Sequence, residues 1–240
     1  MKQSLFTMEH ARQLTADTYE LVLSGDTSAI TAPGQFVNIQ LPGKFLRRPI
    51  SICNWTKDAL LLLVRVVGEG THDLVRCVPG TELDVLSGLG NGFDLAKGGA
   101  HPILLGGGIG IAPLYGLAQR MLEAGIAPTV GLGFRSGGDA FYLEEFGKLG
   151  CRLMVATEDG SLGTKGFVTD LARHVPECGY AFVCGPTPML RALKAYAQEN
   201  GIECWISMEE RMACGIGACL ACVCQSKEVD DHSHVHNKRV

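Results

Sequence analysis

Three cysteines, Cys214, Cys219 and Cys222, stand in the run Cys-Gly-Ile-Gly-Ala-Cys-Leu-Ala-Cys. This C-x4-C-x2-C spacing suits the thiolate ligands of a 2Fe–2S cluster, which carries one electron at a time. Gly215, Gly217 and Ala218 allow a tight loop whose backbone N–H groups can point at the sulfurs. Such a cluster needs four protein ligands, and the fourth is not obvious. Cys224 is separated from Cys222 by one residue, so reaching a second iron from there is strained. Structural zinc is the competing use of a cysteine group. It prefers two close pairs, which the x4–x2 spacing fits poorly. The run His232-Ser233-His234-Val235-His236 reads as a solvated loop, because a Rieske centre would need a local Cys-x-His pairing that is absent. Cys53, Cys77, Cys151, Cys178 and Cys204 are scattered singly and read as core or inert residues.

Four further motifs could hold phosphates or nucleotides. Leu105-Gly106-Gly107-Gly108-Ile109-Gly110-Ile111-Ala112-Pro113 follows an expected strand and opens an expected helix. Glycines there would let the backbone approach a pyrophosphate, and the helix start would offer free N–H groups. Alone, the segment serves equally as a tight turn. Val183-Cys184-Gly185-Pro186-Thr187-Pro188-Met189 ends another expected strand. Ligands of open α/β sheets sit beyond such strand ends, so the two glycine motifs could line one crevice. Arg47-Arg48-Pro49-Ile50-Ser51-Ile52 offers a guanidinium fork and a hydroxyl, although paired arginines are commonly a solvated surface feature. Arg65-Val66-Val67-Gly68-Glu69-Gly70-Thr71 runs from a strand into a glycine turn that could hold a diphosphate or simply close a hairpin.

The elements that must carry these motifs fall into three stretches. Residues 1–97 contain short apolar runs at Tyr19–Leu23, Phe36–Leu41, Ile50–Cys53, Leu60–Val67 and Glu82–Leu86, broken by Ala32-Pro33-Gly34 and Val78-Pro79-Gly80. This spacing predicts a small barrel or sandwich. Residues 98–207 alternate strand and helix patterns. Strands are expected at Pro102–Leu105, Thr129–Phe134, Arg152–Thr157, Ala181–Cys184 and Glu203–Ser207. Helices are expected at Pro113–Glu123, Phe141–Leu149, Gly166–His174 and Thr187–Glu199. The alternation predicts a doubly wound parallel sheet. Residues 208–240 form the cysteine segment and a polar tail.

The 240 residues suffice for one or two cored domains. With 46% hydrophobic and 19% charged residues and a net charge of −4, nothing points to nucleic acid or an anionic membrane as partner. The first ten residues show no signal-peptide pattern, and no stretch reaches the length of a membrane span. Ten cysteines without an export signal suit the reducing cytosol.

Taken in order, Arg-Pro-x-Ser, Gly-x-Gly-Thr, Gly-Gly-Gly-x-Gly-x-Ala-Pro and Cys-Gly-Pro-x-Pro-Met resemble the ferredoxin–NADP reductase superfamily. With Met212-Ala213-Cys214 through Cys222 added, the chain resembles, over essentially its whole length, the electron-transfer subunits of type B dihydroorotate dehydrogenases. The resemblance implies an FAD site at Arg48, Pro49, Ile50, Ser51, Arg65, Val66, Val67, Gly70 and Thr71. It implies an NAD site at Gly107, Gly108, Gly110, Pro113, Cys184, Gly185 and Pro186. Cys184 is expected nearest the nicotinamide, in an orienting role. The cluster would take Cys214, Cys219 and Cys222. Its fourth ligand is expected just past Val240, after the polar insertion Gln225–Arg239, with Cys224 as the runner-up. The resemblance further implies NADH rather than NADPH, although Arg135 could meet a 2′-phosphate. It implies a heterotetramer with an FMN-containing catalytic subunit in pyrimidine synthesis. Two alternatives stand beside it: the small subunit of an NADH-dependent ferredoxin–NADP oxidoreductase or sulfide dehydrogenase, and a zinc-stabilised binding module.

Overall fold

A computed structural model describes residues 1–99, 101–175, 177–227, 229 and 234–239. The first half closes a six-stranded antiparallel barrel in the order β1-β2-β5-β4-β3-β6. Its strands are β1 (Lys2–Gln13), β2 (Thr18–Gly25), β3 (Phe36–Gln40), β4 (Arg48–Trp55), β5 (Ala59–Arg65) and β6 (Glu82–Leu89). Period-2 alternation turns Leu21 and Leu23, Val37 and Ile39, Leu60, Leu62 and Val64, and Leu83 and Val85 into one core. Burying each such side chain stabilises the barrel by about 1.5–3 kcal/mol.

Two elements here escape the sequence pattern. β1 joins β2 to β6 and so closes the barrel, yet most of its residues are exposed and it buries only Phe6 and Met8 fully. A register shift between Met8 and His10 further blurs its periodicity. The expected glycine turn at 68–71 is instead the start of helix α1 (Glu69–Val75). Gly70 disfavours a helix intrinsically, but burial of Leu74 and Val75 against the barrel overrides that preference.

The second half is a parallel sheet in the order β10-β9-β8-β7-β11-β12. It comprises β7 (Ile103–Gly107), β8 (Thr129–Phe134), β9 (Arg152–Thr157), β10 (Thr164–Lys165), β11 (Tyr180–Cys184) and β12 (Glu203–Ser207). The central strands β7 and β11 are buried at every residue, as expected of strands covered on both faces. Leu104, Phe182 and Cys184 pack on the face that carries α2 (Ala112–Glu123) and α3 (Leu143–Leu149). Ile103, Leu105, Ala181 and Val183 pack on the other face, under α4 (Val168–Ala172) and α5 (Thr187–Asn200). The five expected strands and four expected helices are present. The helix expected over Gly166–His174 shortens to α4, and the two-residue β10 is additional. The cysteine segment ends in a small antiparallel pair, β13 (Val223–Gln225) with β14 (Asn237–Arg239).

Barrel and sheet meet where α2 lies across the end of β4. Asn54 Nδ2 donates to Gln119 Oε1 at 2.7 Å, and Arg120 Nη2 donates to the Trp55 carbonyl at 3.2 Å. The Arg120 guanidinium also stacks on the Trp55 ring, 4.7 Å from its centroid. A second strut is buried. Tyr142 donates to Glu20 Oε2 at 2.6 Å, and Arg12 holds the same carboxylate through two N–H bonds. Burial works against the charge of Glu20, but these hydrogen bonds outweigh it and hold its pKa below the usual value.

Gly116 of α2 sits so close to the barrel that a Cβ there would be 2.6 Å from the Cys53 carbonyl oxygen. In a free helix Gly→Ala stabilises by about 1 kcal/mol. Here the methyl must displace backbone, and overpacking costs about 1–3 kcal/mol. Gly116→Ala is therefore expected to lower the thermal midpoint, by roughly 2–4 °C per kcal/mol at this chain length. Differential scanning calorimetry against wild type checks the sign.

Candidate functional site

The strand order reverses direction between β7 and β11. From β7 the chain steps outward through β8 and β9, then returns to build β11 and β12 on the other side. Loops leaving a sheet at such a point diverge and open a crevice beyond the strand ends. Both glycine motifs lie there. Cys184 pairs in register with Gly106, and a Cβ on Gly110 would collide with the Cys184 carbonyl. The two loops thus touch, and Met189 packs against Gly107 and Gly185. Gly107 ends β7, Gly108 takes φ +52°, and Pro113 lies in the first turn of α2, where its missing N–H costs nothing. Pro186 immediately precedes α5.

Cys184 is fully buried, and burial pushes its thiol up to about 12. The negative charge of Glu209 adds to this, while a hydrogen bond with Ser207 opposes it. Cys184 therefore keeps its proton at neutral pH and is no nucleophile. Glu209 retains access to solvent on its outer side, yet its carboxyl is shielded enough for burial to raise its pKa, against the pull of Arg65. It thus couples electrostatically to Cys184 of the sheet and to Arg65 of the barrel. Ser207 pairs in register with Cys184 across β12. Neither Ser207 nor Glu209 was expected from the sequence, since each is brought beside Cys184 only by the β11–β12 pairing.

On the barrel side, Arg48, Pro49, Ile50 and Ser51 form the start of β4, each half-buried. Arg47 and Arg48 part company. Arg47 Nη1 donates to the carbonyls of Asn38 and Asp84 at 3.2 and 3.0 Å, and its Nη2 pairs with Asp84 at 3.0 Å. It is a staple within the barrel, not a solvated surface residue. Arg48 donates to the Leu46 carbonyl, and its guanidinium lies over Gly70 in the first turn of α1. The N–H groups of that turn lack intrahelical acceptors, so cation and helix start could together form an anion cradle. The Thr71 hydroxyl is engaged internally. It accepts from the N–H groups of Val67 and Gly68 and donates to the Gly68 carbonyl. It shapes the cradle from within. Arg65 Nε donates to Asp17 at 2.8 Å, Val66 packs on the barrel core, and Val67 is exposed at the strand end.

The cysteine loop has a local anion geometry of its own. The Cys219 N–H donates to Cys214 Sγ at 3.4 Å. With this N–H first, then that of Ile216, the loop holds the Cys214 thiol down at about 6. Amides already aimed at a sulfur suit a thiolate or a bound iron–sulfur cluster. Cys222 is buried, and Cys224 lies within β13 opposite Lys238. Among the described residues, no three His, Cys, Asp or Glu side chains converge as around a single metal ion. His232 lies outside the described residues. His234 and His236 are exposed, and the His236 ring meets the Lys227 carbonyl. The five scattered cysteines are buried or half-buried, and burial raises each thiol. Arg135, at the end of β8, faces Asp139 at 3.7 Å, and Ser136 donates to the same carboxylate.

The folded pKa of Cys214 lies below its ordinary 9.0, so the chain gains stability as pH rises from about 6 toward 9 and loses it as pH falls through 6. In cluster-free protein, iodoacetamide should alkylate Cys214 with a pH midpoint near 6, while Cys53 and Cys184 react only after unfolding. Peptide mass spectrometry across a pH series reads both.

Residues 209–240 match the model of the iron–sulfur cluster binding domain of dihydroorotate dehydrogenase B, and residues 104–195 match the oxidoreductase NAD-binding domain. The chain is 43% identical to the dihydroorotate dehydrogenase B (NAD(+)) electron transfer subunit of Shouchella clausii, over 97% of this chain and 92% of that one. It is 43% identical to the protein of the same name from Fusobacterium nucleatum, over 98% and 94%. Among solved structures it superimposes on one of an NADH-dependent reduced ferredoxin-NADP oxidoreductase, studied for flavin-based electron bifurcation. That match has a TM-score of 0.86 and 29% identity, and covers 98% of this chain and 88% of that one. With two relatives at this identity spanning almost the whole molecule, the chain belongs to the family of dihydroorotate dehydrogenase B electron transfer subunits.

Proposed function

We propose that this chain relays electrons between NAD(H), FAD, a 2Fe–2S cluster and the FMN of a dihydroorotate dehydrogenase catalytic subunit, in pyrimidine (UMP) synthesis. One observation supports the reading: the segments assigned to the three sites are connected in turn through packed elements. The paired glycine loops at the β7–β11 switch head α2, α2 packs on β4, β4 begins with the Arg48–Ser51 segment, and β3 beside it holds the Cys214 loop through Asn38 Nδ2 at 3.3 Å. Bound FAD supplies the conversion between a two-electron hydride and single electrons, and the cluster supplies the one-electron step.

The protein's part is binding, orientation and electrostatics. Arg48 and the start of α1 neutralise the FAD diphosphate, with Gly70 leaving room and Thr71 fixing the turn. Pro49, Ile50, Ser51 and the Arg65–Val67 strand end line the flavin. Gly107, Gly108, Gly110, Pro113, Gly185 and Pro186 line the nicotinamide nucleotide. Cys184 Sγ holds its proton and orients the nicotinamide. No side chain need act as acid or base in hydride transfer. Arg135, already faced by Asp139, is partly neutralised toward a 2′-phosphate, in keeping with NADH. Cys214, Cys219 and Cys222 hold the cluster. Cys224 is paired with Lys238 inside the β13–β14 ladder, which weighs against it as the fourth ligand. Ile216 and Leu220, exposed on the cysteine loop, face the catalytic subunit in a heterotetramer.

The structural likeness to the NADH-dependent ferredoxin-NADP oxidoreductase supports a second reading, in which electrons leave to a different partner. Co-expression with the dihydroorotate dehydrogenase catalytic subunit, followed by flavin, iron and sulfide analysis, separates them. The isolated chain should reduce artificial acceptors with NADH but leave dihydroorotate untouched. Robust dihydroorotate oxidation by this chain alone would sink the proposal, and a colourless protein containing zinc would replace it. Arg48→Ala should weaken FAD binding by about 1.5–3 kcal/mol, the cost of a lost charged hydrogen bond, or roughly 10–100-fold in Kd by flavin fluorescence titration.

A further inference from the structure

We propose that Asn38 is a positioning residue that sets the gap between the flavin-binding strand and the cysteine loop. The inference rests on the FAD and cluster assignments above. Asn38 lies in the middle of β3. Its neighbours Val37 and Ile39 point into the barrel core, so alternation turns Asn38 outward. An outward Asn on a barrel strand is normally wet. Here it is 1% exposed, and the Cys214–Gly215 turn lies on its side chain.

Asn38 is tied to both proposed sites, through its backbone to one and through its side-chain Nδ2 to the other. Its Cα partner across the ladder is Pro49, next to Arg48. Its backbone carbonyl accepts from Arg47, which also grips Asp84 on β6. The backbone is therefore clamped to the flavin segment, one strand spacing of about 4.8 Å away. Its side-chain Nδ2 donates to the Cys214 carbonyl at 3.3 Å. Gly215 takes φ +65°, and a Cβ there would collide with Asn38 Nδ2. The cysteine loop thus meets this side chain by a hydrogen bond and by steric contact at adjacent residues. Asn38 Oδ1 is buried and has no hydrogen-bond partner among the described residues. An amide placed only for barrel stability would not leave that oxygen bare, since a Leu of similar size would fill the site without an orphan acceptor.

The experiment uses the chain loaded with flavin and cluster, in complex with its catalytic subunit. Stopped-flow absorbance follows NADH reducing the flavin and then, separately, one electron arriving at each cluster. Low-temperature EPR of the reduced cluster reports its environment. Asn38→Leu should leave the thermal midpoint within about 4 °C of wild type. It should slow electron arrival at the cluster at least about tenfold, the low end for losing an outer partner of a metal ligand, and shift the cluster's EPR signal. The flavin-reduction phase should keep its wild-type rate. Gly215→Ala approaches the same contact from the loop side. Its effect should be non-additive with Asn38→Leu, because both act at one point. Unchanged cluster reduction and EPR in Asn38→Leu, or strictly additive effects in the double variant, would overturn the role of Asn38. If wild type itself lacks flavin or cluster bands, the functional reading fails instead, before any variant is compared.

Discussion

The approach of α2 to the end of β4 is the constraint on which the geometry of this protein depends. Gly116 brings helix backbone against the Cys53 carbonyl, and Asn54–Gln119 and Arg120–Trp55 lock the crossing. One end of this pair of elements is the glycine loop that opens α2. The other is the arginine segment that opens β4. Neither site could be aimed at the other unless this crossing were rigid. A residue larger than glycine at 116 would have to push helix and barrel backbone apart at this crossing. The buried Tyr142–Glu20 contact, capped from outside by the exposed Arg12, adds a second fixed point, so the halves are held against both rotation and separation.

Electrostatics divides the labour among chemically similar groups. Cys184 and Cys214 are both thiols, yet burial pushes one up to about 12 while loop amides bring the other down to about 6. The same side chain is held neutral in one place and is ready to become a thiolate in the other. Arg47 and Arg48 divide in the same way. One is consumed by a carboxylate and two carbonyls inside the barrel, and its neighbour is left to face the start of α1.

Much of this was legible in the residues. Continuous apolar runs such as Leu60–Val64 and the all-apolar β7 and β11 announce themselves, as do the cysteine spacing and the order of the glycine motifs. What stayed hidden depends on long-range pairing. β1 is mostly exposed, so no apolar pattern marks the strand that closes the barrel. Helix α1 begins with residues that favour a turn and is held by the Thr71 hydroxyl at its start and by the burial of Leu74 and Val75. Arg47 could not be told from Arg48 until Asp84 arrived from β6. Ser207 and Glu209 gain meaning only when β12 aligns beside β11.

The Asn38–Cys214 hydrogen bond joins residues 176 positions apart. During synthesis β3 emerges early and the cysteine loop emerges after both sheets, and domains fold as units in that order. The seat for the loop therefore exists before the loop does. The last segment made is therefore the one that docks on the first domain, and its place is prepared by a strand laid down long before it.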